Sequence, residues 1–259
     1  MKVQTALLLG SLAVGTLGAF ATQTQAAPFE ITTSGIWTAT MPPVVGTPDT
    51  LEGIGTNEIR WGNPAEGQKS GYRFLGLGPT GAHPAAQFAD LDALLAAEFD
   101  VGDFTHINFP ITGGSITQAS LQMTMTITDI AGGAPQVLNF SFNFTHNETD
   151  NFPGSLGDAC PTTGVPQPAV GCPDIVGLQT VFSQEIVNIG GQQLVLEILG
   201  FVPGHAGSPI SQFLTSENTE NLASLVVRFS APIPEPATLG ILGLGLAALG
   251  WQQRRRRRS

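Results

Sequence analysis

Leu121-Gln-Met-Thr-Met-Thr-Ile-Thr128 alternates apolar and polar positions, and Leu138-Asn-Phe-Ser-Phe-Asn-Phe144 repeats the pattern after Ala131-Gly-Gly-Ala-Pro135. A period of two puts successive side chains on opposite faces of a strand. Leu121, Met123, Met125 and Ile127 therefore share one face, and Leu138, Phe140, Phe142 and Phe144 share another. The Gly/Pro segment between them predicts a hairpin. Further strands are predicted over 29–40, 58–62, 72–77, 104–111, 177–182, 185–189, 193–202 and 222–230, with Gly190-Gly191 as another turn. Only residues 84–99 predict a helix, being Ala-rich with Phe88, Leu91, Leu94 and Leu95 on one stripe. Many short strands separated by turn signals predict an all-β fold, an antiparallel β-sandwich of jelly-roll-like form with one short helix.

The two ends break this pattern. Met1-Lys2 leads into an apolar run from Ala6 to Phe20 and a small, polar stretch ending in Ala26. Those three parts make a secretory signal peptide, with Thr24 and Ala26 in the small subsites and cleavage after Ala26. At the other end, Pro234-Glu235-Pro236 precedes an apolar segment from Ala237 to Trp251 and then Arg254, Arg255, Arg256, Arg257 and Arg258. As a helix that segment spans about 22 Å, short of a hydrocarbon core of about 30 Å. Five arginines stay cytoplasmic, so the expectation is a C-terminal hydrophobic helix that anchors the chain transiently in the inner membrane. The predicted division is 1–26 signal peptide, 27–231 β domain and 232–259 a C-terminal segment of triplet, apolar helix and arginines.

The Pro-Glu-Pro triplet, apolar segment and arginine cluster, in that order, resemble the PEP-CTERM sorting signal of Gram-negative bacteria. The resemblance implies an exosortase as partner, after the Sec translocon, and delivery to the outer surface or extracellular matrix.

Charge narrows the partners. All twenty acidic residues lie between residues 27 and 235, against only Arg60, Lys69, Arg73 and Arg228, a net charge of about −16 for that stretch. Phosphate binding needs Lys or Arg, so nucleic acid is excluded. The two cysteines, Cys160 and Cys172, predict a disulfide in an exported chain. Closing so short a Pro/Gly-rich loop is worth about 3 kcal/mol in the chain-entropy model.

Candidate chemistry is sparse. Phe104-Thr-His106-Ile-Asn108 and Phe144-Thr-His146-Asn147-Glu148 are alike, and if the two strands adjoin, His106, His146, Asn108 and Glu148 converge as a metal or ligand site. The alternative is that these polar groups hydrogen-bond locally at a strand edge. Asp90, Asp92, Glu98, Asp100 and Asp103 lack the offsets of a calcium loop and read as a solvated face. Trp37, Trp61 and Tyr72 either stack on sugar rings or fill the core. No nucleophile elbow or phosphate loop occurs, so no catalytic residue is assigned. No cofactor is expected, a divalent cation such as calcium being the alternative.

The middle of the chain is similar to the choice-of-anchor K domain. The likeness rests on Thr56-Asn-Glu-Ile-Arg-Trp-Gly62, Ser70-Gly-Tyr-Arg-Phe74, Val101-Gly-Asp-Phe-Thr-His-Ile-Asn-Phe-Pro-Ile111 and Thr145-His-Asn-Glu-Thr149. It implies an extracellular domain without assigned activity. The resulting expectation is a non-enzymatic surface or matrix protein associated with exopolysaccharide or biofilm. A carbohydrate- or calcium-binding lectin-like module and a metal-dependent hydrolase are the rivals.

Overall fold

Alternating segments become strands wherever their apolar face finds a partner. The computed structural model describes residues 28–42, 51–65, 67–81, 83–130, 134–150, 155–179, 183–189 and 191–230. In chain order these form β1 (Phe29–Met41), β2 (Glu58–Trp61), β3 (Asn63–Pro64), β4 (Ser70–Gly76), β5 (Ala86–Phe88), α1 (Leu91–Ala96) and β6 (Glu98–Asn108). There follow β7 (Ile111–Thr112), β8 (Gln118–Asp129), β9 (Gln136–Asn147), β10 (Asp174–Gln179) and β11 (Ser183–Ile189). The last three are β12 (Gln192–Pro203), β13 (Gln212–Thr215) and β14 (Thr219–Ser230).

One six-stranded sheet runs β13-β10-β9-β8-β1-β5 and the other β11-β12-β14-β6-β4-β2, with β3 and β7 as a small separate pair. The named strands pair antiparallel throughout. The predicted β8–β9 hairpin forms, with Leu121 opposite Phe142 and Met123 opposite Phe140. The inner faces enclose a core that includes Trp37, Phe74, Phe104, Phe144, Phe201 and Phe229.

A jelly-roll-like sandwich is not what these sheets make. Each is curled into a half-barrel. Register shifts at Trp37/Ala39, Ile198/Gly200 and Leu225/Val226 bend the strands, as bulges do. The halves are also stitched along β1, whose Thr33 N–H donates to Leu77 O at 3.1 Å while Leu77 N–H donates to Thr33 Oγ1 at 2.8 Å. Gly76 permits that approach, since a Cβ there would lie 2.0 Å from Thr33 O. The alternation specified inner and outer faces but carried no information on curvature.

A second correction concerns the membrane. Among the described residues no helix is long and apolar enough to cross one. Transient inner-membrane anchoring through a C-terminal helix therefore has no support. The expected signal peptide and the segment from 231 to 259 lie outside the described residues.

The predicted helix over 84–99 shrinks to α1, capped by Asp90, whose carboxylate accepts from Ala93 N–H at 2.8 Å. On one side Ala86–Phe88 pairs with Phe29–Ile31 as β5; on the other, β6 begins at Glu98. Sheet pairing overrides helix propensity here. Leu94 remains buried in the core as its place on the stripe implied.

Candidate functional site

At one end of the interior, polar groups replace the aromatic core. His106 lies on β6, opposite Tyr72 of β4 and Asn221 of β14. His146 lies on β9 in the other sheet, and Glu148 follows the end of that strand. The two histidines thus meet across the core, not as neighbours within one sheet, with ring centroids 5.1 Å apart and nearly perpendicular. Asn108, two residues beyond His106 on the same face, donates from Nδ2 to Thr215 O at 3.0 Å. All four predicted residues are brought together; Asn147 faces outward.

Two further acids join them. Asp174 opens β10 opposite Thr215 of β13, and Glu217 sits in the turn between β13 and β14. One donor atom from each of His106, His146 and Asp174 lies within 4.8 Å of the others, as do atoms of Glu148, Asp174 and Glu217. Every one of these residues except Glu148, which is partly exposed, is buried. Trp61 and Tyr72 wall the cluster, Trp61 stacking on His106 at 6.3 Å and meeting His146 edge-on at 5.3 Å. Those two aromatics and Trp37 have no exposed surface, which settles their place in the core and not on a sugar.

Hydrogen bonds orient both rings. Thr215 Oγ1 donates its hydrogen to Asp174 O at 3.3 Å and so accepts from His106 Nδ1–H at 2.8 Å. That assigns the His106 proton to Nδ1 and leaves Nε2 a bare lone pair. Glu148 Oε2 accepts from Ser115 Oγ at 3.0 Å and from His146 Nε2–H at 3.2 Å, so His146 Nδ1 accepts the Tyr72 hydroxyl at 2.7 Å. His106 Nε2, Asn108 Oδ1, Glu148 Oε1 and Asp174 Oδ2 are buried and make no hydrogen bond among the described residues.

The disulfide serves this end. Cys160 and Cys172 are bonded, as predicted, with Cα atoms 5.7 Å apart. Cys172 O accepts from Thr149 Oγ1 at 3.0 Å, and Thr149 N–H donates to Asp174 Oδ1 at 2.7 Å. The closed loop thereby clamps the strand that carries Asp174.

Burial sets the electrostatics. It pushes the Asp174 carboxyl up to about 9, with the Glu148 charge adding to the effect. Burial and Glu148 likewise push Glu217 up to about 8. Burial, then neighbouring His146, holds His106 well below its ordinary range, and Tyr72 is raised by burial and by Asp174. In protein stripped of divalent ions, the folded state retains protons on Asp174 and Glu217 that the unfolded chain releases near pH 4. Their contribution to stability is complete below that pH and is lost as pH rises through about 8 to 9. His106, held low, destabilises the fold at pH below its ordinary range, but two carboxyls outweigh one imidazole. The chelated protein is therefore expected to melt at a lower temperature at about pH 8 than at about pH 5. Thermal unfolding in chelator at both values checks this; a rising or flat melting temperature would contradict it.

A second cluster lies at the surface. His83 Nε2 is 2.9 Å from Asp103 Oδ1, His205 Nδ1 is 3.8 Å from the same oxygen, and His205 Nδ1 also meets Ser224 Oγ at 2.6 Å. Asp103 is therefore not part of a solvated acidic face, whereas Asp92, Glu98 and Asp100 are exposed. Both imidazoles here are partly exposed, and His83 borders an open pocket with Glu30, Pro79 and Gln87.

Asp174, Glu217 and Thr215 carry no motif in the sequence, and Tyr72 stood out there only as an aromatic for the core or a sugar. The one local signal was an acid directly preceding the apolar Ile175-Val176 of a strand, just after a disulfide cysteine. Pairing Thr215 with His106 spans 109 residues, which no local pattern reveals.

The domain is thus an antiparallel β fold of two curled sheets with a buried His/carboxylate cluster between them. The terminal segment supplies the rest: residues 232–256 match the PEP-CTERM protein-sorting motif. This match covers Pro234, Glu235 and Pro236 and the first three of the five arginines, all outside the described residues. The chain is an exported protein bearing a sorting signal of the kind an exosortase-type pathway processes. No curated protein matches the sequence.

Proposed function

We propose that the exported domain is a non-enzymatic structural module of the cell surface or extracellular matrix, associated with exopolysaccharide. The observation that carries this reading is enclosure. The densest convergence of titratable side chains among the described residues lies between the sheets, where His106, Asp174 and Glu217 are all but inaccessible. A hydrolase needs its reacting groups within reach of a substrate in a cleft.

Surface charge supports the same reading. Among the described residues Arg60, Lys69, Arg73 and Arg228 each pair with a carboxylate, and acidic residues outnumber them. Such a surface keeps an exported protein soluble and suits a hydrated, cation-rich matrix. The resemblance to the choice-of-anchor K domain, with the sorting signal, points the same way.

The test uses the purified full chain and the producing organism's own exopolysaccharide. Retention of the protein in the sedimented polysaccharide, and a weakened matrix on deletion of the gene, are expected. No retention together with a normal matrix would overturn the proposal. Turnover of that polysaccharide by the purified chain would replace it with the hydrolase reading.

A further inference from the structure

We propose that His106, His146, Asp174 and Glu148 hold one divalent transition-metal ion of the zinc class, enclosed between the sheets as a structural centre. It goes beyond the surface role and does not depend on it, since a chain that ignores polysaccharide still binds the ion.

The first support is the state of His106. Its Nδ1–H is committed to Thr215 Oγ1, so a fully buried Nε2 lone pair has no hydrogen-bond partner, and neither have Asp174 Oδ2 and Glu148 Oε1 in the same cluster. A buried acceptor left unsatisfied costs about 1–3 kcal/mol, and this cluster holds several at one spot. A single cation among them satisfies them together. Among the described residues, the ion pairs of Arg60, Lys69, Arg73 and Arg228 all join carboxylates outside this cluster.

The second support is the way the rings are held. Each imidazole is fixed at Nδ1 by a hydroxyl, Thr215 for His106 and Tyr72 for His146; His146 turns Nε2 to Glu148, and His106 Nε2 is left buried without a partner. Anchoring the far nitrogen is how proteins orient ligating histidines. His146 Nε2 and Glu148 Oε2 lie 3.2 Å apart. Two atoms each about 2 Å from a shared tetrahedral ion have about that separation. Binding moves the His146 proton from Nε2 to Nδ1, where the Tyr72 oxygen accepts it as the hydroxyl hydrogen rotates away, and the Asp174 proton is released to solvent.

The donor set chooses the metal. Two imidazoles with carboxylates suit zinc and its first-row neighbours. Calcium prefers a shell of six to eight oxygens; Glu148, Asp174, Glu217 and Asn108 offer oxygens here, but the bare, buried His106 Nε2 favours a metal that takes nitrogen. Because the ligands are enclosed, with Thr149 and the disulfide loop closing over Asp174, the ion ties β6, β9 and β10 together across the core. Closed coordination of that kind marks structural zinc.

The full chain, stripped with chelator and returned to physiological salt, is titrated with zinc and separately with calcium by calorimetry. Cobalt is added to a third sample for its visible absorption. The expected result is one zinc per chain, no calcium at the same site, cobalt bands typical of tetrahedral nitrogen and oxygen ligation, and a higher melting temperature on loading. His106→Gln should abolish uptake. Thr215→Val, which keeps the ligands and loosens one ring, should weaken it by about 10–100-fold. His83→Gln, in the surface cluster, should leave it unchanged. If His106→Gln fails to fold, Thr215→Val and the cobalt spectrum of the parent decide the matter. Folded parent chain that takes up no ion stoichiometrically overturns the proposal. So does binding at several weak, salt-sensitive sites, unchanged affinity in Thr215→Val, or loss of binding in His83→Gln.

Discussion

Replacing Gly102 by alanine is expected to destabilise the domain by about 4 kcal/mol or more, enough to leave little folded protein. Gly102 has φ +145°, a conformation that L side chains rarely adopt. A Cβ there would stand 2.4 Å from Leu75 O, 2.8 Å from Phe74 Cζ and 2.9 Å from Gly76 Cα. Two of those atoms are backbone in the adjoining β4, so nothing flexible can give way. The position also faces Leu225 of β14, next to the register shift that bends the sheet. Alanine would therefore oppose the curl itself. Urea denaturation of Gly102→Ala against the parent measures the loss; a difference under about 1 kcal/mol would show that the curvature is not centred here.

Phe104→Ala is the second large effect, with a loss of about 3–5 kcal/mol. The ring stacks on Phe144 at 5.0 Å, meets Tyr72 at 4.9 Å and Phe201 at 5.2 Å, and touches Trp37 and Phe213 at 6.1 Å. These partners come from both sheets, so the cavity cannot close by shifting one element. Tyr72 is shared with His146, and its looser ring should carry the damage into the polar cluster. Leu222→Ala offers the contrast: that side chain is 39% exposed, and the change should stay within about 0.5 kcal/mol. Equal losses in the two variants, read by thermal or urea unfolding, would argue against an aromatic core shared by both sheets.

Local chemistry carried the reading some way. The alternation in β8 and β9 was strong because every other residue is apolar, and the register places those residues inward as expected. The residues 84–99 misled because helix propensity and apolar spacing agreed, while the pairing partner of β5 lay almost sixty residues upstream in β1. Likewise His106 and His146 drew notice through their matching Phe-Thr-His frames, but the acids that complete the cluster have no such frame. Asp174 and Glu217 look like ordinary polar residues until the strands around them fold.

What the amino-acid order alone determined is what depends on neighbours along the chain: most of the longer strands, the cysteine pair, the acidic balance and the sorting motif of residues 232–256. The tertiary structure alone decided how the sheets curl and which acids join the histidines. Curvature comes from bulges and glycine contacts between strands distant in sequence, and the cluster from side chains on β6, β9 and β10 and in the turn before β14. Neither leaves a periodic trace, because distance in space is not encoded in spacing along a strand.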